Sequence, residues 1–229
     1  MFKKAHQYLA EFVYGGMDGS ITTFAVVAGA SGAHLESAVV IILGIVNLVA
    51  DGFAMSVGSF LSTKSQKQQY ERHKRREYWE IEHLRESEVQ EIREIFQAKG
   101  FEGELLERVV EKITENNDHW VDIMMKHELE MVPENRTSVA IGTATFISFM
   151  LVGFVPLSIY VLDFMHPLEV NLFLLSSILT SVAFTGIGFL KSYVTQTNWF
   201  RGIAETLLLG VVAATLAFVA GGILEKIIN

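Results

Sequence analysis

Two pairs of glutamates share one spacing: Glu77-x-x-Glu80 and Glu88-x-x-Glu91. The second pair follows the first by 11 residues, about three helical turns. On one continuous helix all four carboxylates fall on one stripe. Acids placed this way repel one another unless something compensates them. A divalent cation is one way to do so. Further along, Met124, Met125 and Glu128 add two thioethers and a carboxylate, with Met124 and Glu128 one turn apart. Carboxylates bind hard and borderline cations, and thioethers add a softness that Ca2+ and Mg2+ do not favour. The mixed set suits Fe2+, and less selectively Mn2+, Co2+ or Zn2+. The competing reading is a solvated acidic helix. Arg72, Lys74, Arg75, Arg76 and Arg85 are available to neutralise the acids, and paired methionines are commonly core filler. Spacing alone leaves both readings open. His73 and His127 fall near the same faces, and each alone reads as an ordinary surface histidine. Di-iron helix bundles use two Glu-x-x-His motifs and only one, Glu80-x-x-His83, is present, which argues against an iron-oxidising enzyme.

A second set of acids sits in apolar surroundings. Asp18 is flanked by Gly15, Gly16 and Gly19, with Thr22 one turn on. Asp51 is followed by Gly52, with Asn47 one turn before it and Met55 one turn after. Charged side chains inside a membrane are costly, and by default they face a polar pathway or a partner. No Lys or Arg lies in either stretch to pair with them. A cation or proton path is the leading reading, and an aspartate that hydrogen-bonds across helices is the structural one. Glu11 stands where the first apolar stretch begins and could guide a cation inward or simply sit exposed at the interface. Glu205 is four residues after Arg201, which favours an interfacial ion pair.

The elements that must position these residues follow from charge distribution. Residues 12–63 contain no Lys or Arg, and 52 residues are too long for one membrane span and right for two at ~1.5 Å per residue. The break falls at the small polar stretch 31–36. Residues 138–162, 170–190 and 206–224 are uncharged, each close to the ~20 residues a span needs. The expectation is an all-α integral membrane bundle of five transmembrane helices per subunit plus a cytoplasmic three-helix domain. Its divisions are 1–63 (an N-terminal interfacial helix over 2–11 and spans 1–2), 64–137 (the cytoplasmic metal-binding domain) and 138–229 (spans 3–5). Helix one of that domain is expected to run unbroken from the second span to Gly100. Helix two covers 102–116, with Leu105, Leu106, Val109, Val110 and Ile113 at helical spacing. Helix three starts at an Asn117 or Asp118 cap and runs to about Met131, before Pro133. No small-residue cleavage site precedes the stretch bearing Asp18, so it reads as a span and not a signal peptide.

Composition sets the outer limits. The chain has 229 residues, a formal charge of -8, no cysteine and only 19% charged residues. The segment 64–137 holds 13 of the 18 Lys+Arg and 18 of the 26 Asp+Glu, so the rest of the chain is nearly uncharged. Such a split excludes an ordinary soluble domain. The absence of cysteine excludes disulfides, Cys-ligated zinc and a thiol nucleophile. The acidic balance argues against a nucleic-acid partner. With a cytoplasmic N-terminus, 17 of the 18 basic residues lie inside and only Lys226 lies outside, which the positive-inside rule favours. The expected orientation is therefore N-terminus and residues 64–137 cytoplasmic, C-terminus outside or lumenal.

These residues together resemble the vacuolar iron transporter family. The likeness is carried by residues 16–29 (GMDGSITTFAVVAG) and 50–62 (ADGFAMSVGSFLS), and by the long cytoplasmic insertion that shorter nodulin-like members lack. The resemblance implies a homodimer of five-helix subunits in a lipid bilayer, exporting cytosolic Fe2+ in exchange for protons. The bilayer is the plasma membrane in a prokaryote and the vacuolar membrane in a eukaryote. It implies a path at the dimer interface, with Asp18 and Met55 as its carboxylate and methionine, and Glu11 at its cytoplasmic mouth. Asp51 is expected to support ion or proton movement. A second mouth acid found in some members is Gln7 here. The implied cytoplasmic ligands are Glu77, Glu80, Glu88, Glu91, Met124, Met125 and Glu128. Alternatives are an exchanger of the same mechanism for Mn2+ or a broad set of divalent metals, and a membrane-anchored iron-binding or iron-oxidising protein that transports nothing.

Overall fold

The computed structural model describes residues 7–228, and all regular elements among them are helices. In chain order they are α1 (Leu9–Gly32), α2 (Ser37–His83), α3 (Arg85–Ala98), α4 (Gly103–Thr114), α5 (Asn117–His127), α6 (Ser138–Gly153), α7 (Val155–Met165), α8 (Leu172–Thr195) and α9 (Trp199–Ile228). The chain divides into two compact units, one of residues 1–61 and 136–229 and one of residues 62–135. The helix expected over 2–11 falls largely outside the described residues, and α1 already begins at Leu9.

In the first unit, α1 packs against α6, α8 and α9. Its inner face is small and partly polar: Gly15, Gly16, Gly19, Ser20, Thr23, Val27 and Ala28 are all buried. Glycine is needed where backbones nearly touch. A methyl group added to Gly19 would lie 2.6 Å from the Phe149 carbonyl oxygen, and one on Gly221 would overlap the Gly29 carbonyl oxygen. Gly186, by contrast, faces open space. Gly221→Ala is therefore expected to destabilise the purified protein by about 1–3 kcal/mol through forced separation of α1 and α9. Gly186→Ala is expected to be neutral or to stabilise by roughly 0.5–1 kcal/mol, the helix preference of alanine. Thermal unfolding in detergent compares the two, and equal effects would contradict the close-contact argument.

Three described helices are long and apolar enough to cross a membrane: α2, α8 and α9. The α6–α7 pair qualifies as a fourth only as one bent span, turned by 49° at Phe154. Pro156 accounts for that break, because it has no N–H for the Val152 carbonyl and its ring crowds that turn. The uncharged run 138–162 is thus two helices and not the single straight one expected. At 24 residues α1 is about 36 Å long, enough to cross. It is not apolar enough to count among the crossing helices. Its glycines, hydroxyls and acids face protein, so lipid does not demand apolarity of that side.

The α1–α2 and α7–α8 loops contain no Lys or Arg. His34 takes a left-handed conformation (φ 52°) just past the end of α1. Asp163 accepts hydrogen bonds from Ser37 Oγ (2.9 Å) and from the Leu168 N–H (3.0 Å).

The second unit contains residues 62–83 of α2, then α3, α4 and α5. The expected unbroken helix to Gly100 is interrupted at Leu84. Charge at the ends explains why a break is tolerated there. His83 closes α2, and Glu86 and Glu88 lie in the first turn of α3, each on the favourable side of a helix dipole. Helix α4 buries Leu106, Val110 and Ile113 but leaves Leu105 exposed. The cap of α5 is Asn116, one residue earlier than expected, its side chain accepting from the N–H groups of Asp118 (2.9 Å) and His119 (3.1 Å). The helix ends at His127, short of Met131.

Candidate functional site

The glutamates of the second unit are brought to face one another despite the break at Leu84. Glu77 and Glu88 are buried, 2% and 4% exposed, although they sit on different helices. Burial is the main reason their carboxyls are pushed up to about 7, and the neighbouring acids add to it: Glu128, Glu80, Glu88 and Glu91 act on Glu77, and Glu91, Glu80 and Glu128 on Glu88. Glu91 and Glu128 are shifted upward too, by partial burial first and then by their acidic neighbours. All five carboxylates therefore feel one field. One oxygen each of Glu77 and Glu88 is buried without a hydrogen-bond partner.

Neutralisation by nearby cations is incomplete. Arg76 pairs with Glu80 at 2.9 Å. Three others turn elsewhere: Lys74 lies 3.9 Å from Asp122, Arg75 donates to the Glu71 carbonyl, and Arg85 donates to the Thr114 carbonyl while its guanidinium lies over the Trp120 ring. His127 meets Lys99 at 3.1 Å. Met124 and Met125 are fully buried and pack with Ile81, Ile92, Leu106, Val110, Trp120 and Val121. That is a core position. Among the described residues no three carboxylate or imidazole groups are close enough to enclose an ion as they stand. Two buried carboxylate oxygens without hydrogen-bond partners thus sit amid mutually repelling acids, a costly arrangement in the absence of a cation.

In the first unit Asp18 is half-buried on α1, and Thr22 Oγ1 donates to its backbone carbonyl at 2.9 Å. Asp18 and Asp51 lie within electrostatic reach of each other. Asp51 is exposed on α2, among exposed apolar neighbours such as Val46, Val49 and Phe53. Met55 is partly buried and packs on the cluster of Val27, Leu48 and Phe149. The Asn47 amide nitrogen is buried without a partner. Ser56 Oγ donates to the Gly142 carbonyl at 2.8 Å, which fixes α2 against α6 at this level.

The model of the VIT family matches residues 9–222 of this sequence. The chain belongs to the VIT family. The match spans all eleven residues singled out as candidate ligands. Vacuolar iron transporter 1 of Arabidopsis thaliana is 31% identical over 215 residues, covering 93% of this chain and 85% of its own. The vacuolar iron transporter of Centaurea cyanus is 32% identical over 221 residues, covering 94% and 89%. That of Plasmodium falciparum is 31% identical over 228 residues, covering 96% and 84%.

In this VIT-family chain the ion pair made by one candidate site residue escaped the sequence reading. Glu11 is not a free interfacial acid: its Oε1 accepts from Arg136 Nη1 at 2.6 Å. The signal was present in the two positions. Glu11 stands one residue before a run without Lys or Arg and Arg136 two residues before an uncharged one, so both stand at the start of an apolar stretch. Glu205 pairs with Lys191 at 2.7 Å and not with Arg201. The α8–α9 turn brings Lys191 closer than the helical neighbour four residues away.

Proposed function

We propose that this protein exports ferrous iron from the cytosol in exchange for protons, working as a homodimer of subunits with five transmembrane spans. The N-terminus and residues 64–137 would be cytoplasmic and the C-terminus outside or lumenal. The observation that carries the reading is the pair of aspartates, Asp18 on α1 and Asp51 on α2, within each other's field in a stretch, residues 12–63, without Lys or Arg. Membership of the VIT family and relatives named vacuolar iron transporters supply iron as the cargo. The long α2 and the bent α6–α7 pair supply two of the five spans, α8 and α9 two more, and α1 the fifth. An exposed aspartate on a lipid-length apolar helix needs cover, and a second subunit against α2 would supply it.

In this mechanism the cytoplasmic glutamates collect the cation. Glu77 and Glu88 lead, with Glu80, Glu91 and Glu128 around them, and Met124 and Met125 back the group from the core. Asp18 and Met55 then hold the ion in the membrane while Asp51 assists. A carboxylate holds either a proton or a metal ion, so a proton arriving from the acidic side displaces the metal. Mn2+ remains a rival cargo, because Glu, Asp and Met do not separate the two ions.

Flux in proteoliposomes tests this. With an acidic lumen and anaerobic conditions, Fe2+ uptake should proceed with alkalinisation of the lumen, and Mn2+ and Zn2+ run in parallel rank the cargo. Flux without any pH change would remove the proton coupling. No flux for any metal, with metal still bound to the protein, would instead favour a membrane-anchored iron-binding protein.

A further inference from the structure

Glu11 begins the membrane-length part of α1, yet its carboxylate is already engaged by a fixed cation. The Arg136 guanidinium donates to Glu11 Oε1 at 2.6 Å and, from the same nitrogen, to the Gln7 carbonyl at 3.2 Å. The other oxygen, Oε2, is buried and has no hydrogen-bond partner among the described residues. The two side chains are 16% and 33% exposed, so the pair is partly withdrawn from water. Arginine does not lose its charge at any physiological pH. A permanent positive charge on the acid at the mouth of a cation path is unexpected if Glu11 only attracts cations. It is expected if the carboxylate also discriminates among them.

Resting on the transport reading above, we propose that Arg136 is a selectivity residue: its guanidinium occupies Glu11 until a divalent cation displaces it, and monovalent cations cannot. The physical basis is an exchange. A monovalent ion offers the carboxylate the same charge as the guanidinium but not its directed, charge-assisted hydrogen bond. A divalent ion offers twice the Coulomb energy at the same distance and can also use the orphaned Oε2. Arg136 sorts by charge only. Choice among divalent ions falls to deeper groups with a thioether, Asp18 and Met55.

The test uses full-length protein in proteoliposomes under anaerobic conditions, with initial Fe2+ flux measured against Fe2+ concentration at low and high K+. Arg136→Gln should lower the KM for Fe2+ at low K+ by roughly threefold to fivefold, the worth of one partly exposed ion pair. It should also make the KM rise steeply with K+, a dependence the wild type lacks. Arg136→Lys should lie between the two. In the Glu11→Gln background, Arg136→Gln should have no further effect on KM. Unfolding in detergent verifies that each variant is folded. A folded Arg136→Gln protein with unchanged KM and no K+ sensitivity overturns the proposal. So does a fall in maximal flux at constant KM that persists in the Glu11→Gln background, which marks a structural anchor. A wild type that moves no metal overturns the transport reading itself, a result separate from either.

Discussion

Asp18→Asn is expected to stop metal flux while cytoplasmic metal binding survives. Asparagine has the shape of aspartate and lacks its charge, so the substitution tests the charge alone. The local hydrogen bond of the first span does not depend on the carboxylate, because Thr22 Oγ1 donates to the Asp18 backbone carbonyl. Neighbouring Gly19 keeps its close approach to Phe149. The fold should therefore hold. The loss should exceed ~100-fold, because even changes beyond the direct ligands cost a metal site about 10–100-fold. Proteoliposome flux and equilibrium metal binding on the same preparation decide the matter. Flux within a few-fold of the wild type would place the ion path elsewhere.

How far the sequence could be read depended on whether a feature was local. Asp18 and Asp51 stood out because a charge in an apolar stretch is costly and calls for a polar path or a partner. The helical nature of the described residues was visible in the uncharged runs and in the apolar spacing of the charged segment. The helix of residues 9–32 was legible by length, while its modest apolarity goes with a face packed against α6, α8 and α9. The identities of the clustered glutamates were legible but their geometry was not. The stripe argument assumed one helix, and the chain breaks at Leu84. His83, Glu86 and Glu88 carried that signal in their charges. Pro156 likewise marked the bend between α6 and α7 in plain view, overlooked because the run around it was judged by length. Periodicity could not separate a ligand methionine from a core one, and Met124 and Met125 are buried with the core. The pairings of Glu11 with Arg136 and of Glu205 with Lys191 join residues distant in sequence, so spacing rules had no access to them.

The second large effect is a reversal of pH dependence by metal at Glu77 and Glu88. Both carboxyls are raised from 4.5 to about 7 in the folded protein, mainly by burial. Folded protein thus holds protons that the unfolded chain releases between those values. By linkage, their contribution to stability is fully present below the unfolded pKa and is lost as pH rises through about 7. Metal-free protein should accordingly become more resistant to unfolding as pH falls from 8 toward 5, until other groups titrate. A divalent cation acts in the opposite sense. It binds the ionised carboxylates, so Mn2+ should stabilise the protein at pH 7.5–8 and progressively less at pH 5–6. The two curves should converge at acidic pH. Glu77→Gln with Glu88→Gln removes both effects together: the metal-free profile flattens across the window, stability at pH 8 rises, and Mn2+ protection disappears. Hydrogen exchange of residues 62–135 in the full-length protein, with and without Mn2+ across this pH range, reports the unit directly. A double variant that retains the wild-type pH profile would show that burial does not disfavour these charges. One that retains Mn2+ protection would move the cation away from Glu77 and Glu88. A cation bound where two carboxylates are held unpaired in the dry edge of a core is bound strongly only while both are ionised, so a fall in cytosolic pH would release it without any change of fold.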